Sequence, residues 1–181
     1  MLLMSMVWPV QAKQLSVAPK AGQWQINTQN YIEGQDIAPR LEGVKRQARA
    51  FLDSKQVAKL DQFNLSQFEE CLQPQQAETL RRPAQSLALV EQALGQCQLQ
   101  LDEQTHNSIR FSGQCDVSKQ GVSGQIAGQV TYLSDTEAEG YIKGKGTFPP
   151  HLQLLLAGSL KPELELQHQF KAHWQQAQCS H

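Results

Sequence analysis

The sequence predicts an α+β fold that is mainly β: a curved antiparallel sheet, barrel-like or half-open, of six to seven strands with two helices against one side or end. Three observations predict it. Apolar and polar residues alternate with period two in segments spaced at about ten residues. Gly, Pro or Asp punctuates each segment. Helical periodicity is confined to the first half of the chain and does not alternate with the strands, which disfavours a parallel α/β sheet.

Gly22 to Ile32 is the first predicted strand, with Trp24, Ile26 and Thr28 on one parity and Gln23, Gln25 and Asn27 on the other, ended by Gly34. From Pro39 to Leu60 the period changes. Leu41, Val44, Ala48 and Phe51 recur at helical spacing, predicting one amphipathic helix whose other face is basic. Between Arg40 and Lys59, six Lys or Arg stand against Glu42 and Asp53, net +4, whereas Leu60 to His181 carries eight against thirteen, net −5. Phe63 to Phe68 is a short alternation leading into Cys71-Leu72-Gln73-Pro74, and Pro74 suits the first turn of a brief helix through Leu80. A further helix follows Pro83 with the stripe Leu87, Val90 and Leu94, closed by Gly95 as a left-handed cap.

Cys97 to Gln104 and Ser108 to Cys115 form a predicted hairpin turning at His106. One register places Cys97 opposite Cys115, Leu101 opposite Phe111 and Asp102 opposite Arg110, an apolar pair and an opposite-charge pair that attract across strands. Strands follow over Gly121 to Leu133, Glu137 to Phe148 and Leu160 to Gln175. The last is the clearest, because Leu164, Leu166, His168, Phe170, Ala172 and Trp174 share one parity; Pro162 puts its start at an edge or outside the ladder. His151 to Ala157 is too short and uniformly apolar to classify.

The 181 residues, 40% hydrophobic and 18% charged with a formal net charge of −1, suit one domain. No window reaches the ~18 uncharged apolar residues of a spanning helix, and the near-neutral charge argues against nucleic acid as a partner. The 29 glutamines make polar surface largely from amides. Residues 1–12 read as a signal peptide: an apolar run ends in Val10-Gln11-Ala12, a small-x-small cleavage signature, leaving 13–181 as a single disulfide-stabilised domain. No Lys or Arg precedes Lys13, so either the true start lies upstream of Met1, the reading preferred here, or the export signal is marginal.

Four cysteines in an exported chain imply disulfides. With Cys97 facing Cys115 in the hairpin, Cys71 pairs with Cys179. Zinc is disfavoured because the cysteines and histidines do not supply two closely spaced ligand pairs, so no metal and no cofactor is expected.

An opening Gly-x-Trp (Gly22, Trp24), a central Cys-Leu-x-Pro (Cys71, Leu72, Pro74), a cysteine opening a hairpin (Cys97), a Gly-x-Cys ending it (Gly113, Cys115), a glycine-spaced β stretch and a cysteine near the C-terminus occur in this order. From Ala21 to Cys179 the layout resembles the exported proteobacterial family catalogued as domain of unknown function 3617. The resemblance implies a periplasmic or secreted location and disulfide-bonded cysteines, and brings no activity. The basic helix departs from the less regular connection expected there.

Catalytic motifs fail on inspection. Gly144-Lys145-Gly146-Thr147 separates the lysine and threonine that a phosphate loop needs adjacent, and Gly121-Val122-Ser123-Gly124 is one residue short of a nucleophile elbow and has no strand-to-helix turn. Glu69 and Glu70 precede Cys71, and Asp135, Glu137 and Glu139 lie close together, carboxylate pairings of a kind found in most proteins; Glu137 and Glu139 share a strand face expected to be solvated. His168 is the polar member of an apolar row, so it either makes a hydrogen bond in the core or, with Trp24 and Trp174, lines a ligand cavity. The expected function is that of a non-catalytic periplasmic protein binding a small ligand or an envelope partner. The alternatives are a peripheral protein meeting an anionic membrane surface through Lys45, Arg46 and Arg49 on the 39–60 helix, and an enzyme of unrecognised type.

Overall fold

The computed structural model describes residues 14–62, 64, 66–118, 123–147, 153–154 and 160–179. The expected signal peptide, the strand limits at Gly121 and Phe148, Phe63, and most of the unclassified 151–157 segment lie outside these residues.

The alternating segments become an eight-stranded antiparallel sheet. Its members are β1 (Gly22–Ile32), β2 (Gln35–Asp36), β3 (Gln67–Leu72), β4 (Gly95–Gln104), β5 (Ser108–Ser118), β6 (Ser123–Tyr132), β7 (Glu137–Thr147) and β8 (Leu164–Gln176). The order is β2-β1-β8-β7-β6-β5-β4, with β3 also pairing β1. β2 meets β1 at Tyr31 and Ile32 while β3 meets it from Gly22 to Asn27, so the two share one edge of β1 and leave the other to β8. Among the described residues no pairing joins β4 to that edge, so the sheet does not close into a barrel. The strand number exceeds six to seven because β2 has two residues, too few for any periodicity to register.

Four α-helices and one 3₁₀ turn accompany the sheet among the described residues: α1 (Ala38–Ala48), the turn Arg49–Phe51, α2 (Ser54–Gln62), α3 (Pro74–Leu80) and α4 (Pro83–Leu94). The expected continuous 39–60 helix is therefore broken. Leu52 takes an extended conformation (φ −108°, ψ 146°). Beyond it, Asp53 Oδ1 accepts the Gln56 N–H at 2.9 Å while Gln56 Oε1 accepts the Asp53 N–H at 3.0 Å, a reciprocal cap that starts a second helix. The stripe is not buried either: α1 contains no buried residue and Phe51 is 88% exposed. α3 and α4 span the expected residues. Gly95 has positive φ but the wrong ψ for a left-handed cap (107°, −128°), passing directly into β4.

In the β4–β5 hairpin Cys97 faces Cys115 and Leu101 faces Phe111 as expected. A bulge beyond Leu101 then shifts Arg110 from Asp102 to Glu103, with which it forms an ion pair. Asp102 instead accepts a hydrogen bond from Ser112 Oγ at 2.9 Å. The two disulfides are Cys97–Cys115 and Cys71–Cys179. The second crosses the end of β1, since Gln23 pairs with Cys71 of β3 on one side and Gln176 of β8 on the other.

Even-numbered residues of β1, β6, β7 and β8 and odd-numbered ones of β4 and β5 make the core face. Its buried centre includes Trp24, Ile109, Tyr132, Ala138 and Ala172, joined by Leu15 from the N-terminal segment. One core row runs Phe111, Gly128, Ile142, His168, Asn30, and the next Ile109, Val130, Gly140, Phe170, Thr28. Phe111 has no exposed surface, and its ring occupies the place of a side chain at Gly128. The opposite face carries the glutamines.

Candidate apolar cavity

Between the core face of the sheet and the α3–α4 pair lies an apolar cavity of about 300 Å³. The sheet supplies Trp24, Ile109, Phe111, Tyr132, Ile142 and Phe170, and the helices close it with Leu80, Ser86 and Val90. α4 is positioned by Pro83 in its first turn and by the Arg82 carbonyl, which accepts the Ser86 N–H at 2.9 Å. Ser86 Oγ–H donates to the Leu80 carbonyl at 2.9 Å, so this buried hydroxyl is satisfied and presents no free polarity to the cavity. Glu70, an exposed residue of β3, also borders the space, whose surface is almost wholly carbon.

Tyr132 is the polar group inside. It is 5% exposed, and its hydroxyl has no hydrogen-bond partner among the described residues. Burial disfavours the phenolate and pushes its pKa up to about 12 from the ordinary 10.0. An unfolded chain therefore gives up this proton first as pH rises: the contribution of the site is intact below about pH 10 and falls between about pH 10 and 12, by roughly 2 to 3 kcal/mol. Tyr132→Phe should flatten that segment of the stability–pH curve, which urea midpoints at about pH 8 and about pH 11.5 will measure against the parent chain.

Of the residues expected to line a cavity, Trp24 does so, whereas His168 and Trp174 sit elsewhere on the same face. His168 is half-buried and its Nδ1–H donates to Asn30 Oδ1 at 2.7 Å across β1 and β8. The carboxamide oxygen cannot donate, so in this contact the ring supplies the proton from Nδ1; burial holds the imidazole below its usual pKa. Trp24 and Trp174 are register partners. Their indole N–H groups donate to successive carbonyls, Trp24 to Lys20 at 2.8 Å and Trp174 to Ala21 at 3.0 Å, pinning the entry to β1. Gly22, at φ +129°, permits this approach: a Cβ there would lie 2.2 Å from the Gln176 carbonyl oxygen.

Lys45, Arg46 and Arg49 stand on α1 and the 3₁₀ turn, away from the cavity. Lys45 pairs with Glu42 at 2.9 Å and Arg49 with Asp61. Glu69 accepts from Gln23 Nε2 at 3.0 Å, and Glu137 faces His173 at 3.6 Å on the polar face. Among the described residues no group of three or more His, Cys, Asp or Glu is placed to hold a metal ion, and no helix is long and apolar enough to cross a membrane. Sequence reasoning missed Phe111, Tyr132, Leu80 and Val90 as lining residues. The parities of β5 and β6 carry the signal for the first two; the docking of the helices does not show in local periodicity.

The family described as Protein of unknown function (DUF3617) matches residues 19–179, a span holding all four cysteines and both cavity walls. The chain belongs to this family. The landmarks shared in order have structural roles here: Gly22 and Trp24 fix the entry to β1, Cys71 and Pro74 join β3 to α3, and Gly113 lets β4 approach β5, a Cβ there meeting the Gln98 carbonyl oxygen at 2.1 Å. No curated protein and no solved structure matches the chain.

Proposed function

We propose that this is a non-catalytic protein of the periplasm or extracellular space that binds a small apolar ligand between its sheet and helices. The observation that carries the reading is the carbon-lined cavity of about 300 Å³, at the lower end of the range for small-molecule sites. Two disulfides are consistent with an oxidising compartment. The carbon walls favour an apolar ligand body, and the Tyr132 hydroxyl, without a partner among the described residues, is the lining group that a polar ligand atom would meet.

N-phenyl-1-naphthylamine, a neutral apolar fluorophore, tests this directly. Its emission should rise to saturation at one molecule per chain. Ala138→Leu and Val90→Phe, which fill the cavity from the sheet and from α4, should each weaken binding at least about tenfold, a loss of 1.4 kcal/mol or more. Unchanged affinity in two variants that keep the parent near-ultraviolet spectrum would refute the assignment.

A further inference from the structure

The sheet face turned away from the cavity carries two adjoining concavities of about 870 and 1060 Å³ that share Lys143 and Gln167. We propose that this face is a binding site for an extended neutral glycan.

Charge supports the assignment. Lys143, Lys145 and Lys171 line the two concavities against Asp36, Glu139 and Glu165, three of each sign, so the surface has no excess charge to recruit a polyanion or polycation. What dominates instead is carboxamide. Gln29, Gln169 and Gln129 lie in one row across β1, β8, β7 and β6, with Tyr141 between the last two. Gln167 and Tyr31 lie in the next row. Among the described residues the side chains of Gln29, Gln167 and Gln169 make no hydrogen bond to protein, leaving donors and acceptors available outward.

Each carboxamide offers an acceptor oxygen and two N–H donors in one plane, which matches neighbouring hydroxyls on a sugar ring. Neighbouring members of the row are one strand spacing, about 4.8 Å, apart, so an extended glycan lying along it meets carboxamides at Gln29, Gln169 and Gln129 with the Tyr141 ring between the last two. Tyr141 and Tyr31 lie two strands and one row apart, and each adds a ring against which a sugar face packs. An apolar ligand would strand these amides without partners, and a charged polymer would meet a balanced surface; a neutral polyhydroxylated chain satisfies both conditions.

The site is independent of the apolar cavity, which lies on the other face. Titration of the ¹⁵N-labelled chain with chitohexaose and cellohexaose tests it. At least one glycan should bind saturably with shifts in the side-chain amide signals of Gln29, Gln129 and Gln169, while Gln129→Leu/Gln169→Leu and Tyr141→Ala should each weaken it about tenfold or more. Ala138→Leu should leave the glycan affinity unchanged, which separates this site from the cavity. No affinity tighter than about 1 mM for either glycan would overturn the proposal. So would equal binding by the variants at parental melting temperature, or sedimentation showing that a second copy of the chain covers the same amides.

Discussion

Replacing Cys71 and Cys179 together by serine should lower the unfolding free energy by about 4 to 5 kcal/mol, the largest loss expected from removing either covalent link. The sequence separation is 108 residues for this disulfide and 18 for Cys97–Cys115. In the chain-entropy model the short loop is worth only about 3 kcal/mol, because closing it restricts the unfolded chain less. Position adds to length. Among the described residues β3 pairs only with β1, and Cys179 follows the end of β8. The link therefore clamps two segments across β1, and without it both can fray. Urea unfolding of the two double-serine variants against the parent will rank them. Equal losses would show that loop length does not set the stabilisation. Non-reducing peptide mapping that joined Cys71 to Cys97 or Cys115 would remove its basis.

Phe111→Ala should cost about 3 to 5 kcal/mol, since a fully buried ring leaves a void that neighbours fill only in part. Its cross-strand partner explains why the site is sensitive from both sides. A Cβ at Gly128 would fall 2.5 Å from Phe111 Cζ and 2.8 Å from the Tyr141 carbonyl oxygen. Gly128→Ala should therefore cost about 1 to 3 kcal/mol through overpacking. Combined with Phe111→Leu, the methyl loses its clash with the ring but keeps the one with the Tyr141 backbone, so the double variant should be more stable than the summed single losses by about 0.5 kcal/mol or more. Strict additivity in the double-mutant cycle would mean that ring and glycine are not coupled.

The parts of this fold legible in the sequence are those in which one residue's face determines its neighbour's. β8 declares itself because six core-facing residues share a parity with one polar exception, and that exception, His168, finds Asn30 on the adjacent strand. The cysteine pairing follows from hairpin register, which holds from Cys97 to Leu101. Beyond Leu101 an extra residue enters one strand, and a bulge has no sequence period to betray it. The basic segment misleads for a related reason: apolar spacing continues through Phe51, while the chain turns at Leu52 and restarts on the Asp53–Gln56 cap, a local polar signal. The cavity depends on where α3 and α4 settle over β5 and β6, a tertiary fact. Trp24 is legible as an aromatic on the buried parity; Phe111 and Tyr132 also share the buried parity of their strands, but that they face α3 and α4 depends on the strand order.

The common edge on which β2 and β3 pair with β1 makes segment 37–66 a detour. The chain leaves β1 and returns beside it, so the sheet records where the detour begins and ends but not how long it is. Loop closure grows only slowly with length, about 0.6 kcal/mol for each doubling. This stretch is therefore where relatives can diverge in size and charge, or where a foreign sequence can be grafted, while both sheet faces and both staples stay as they are.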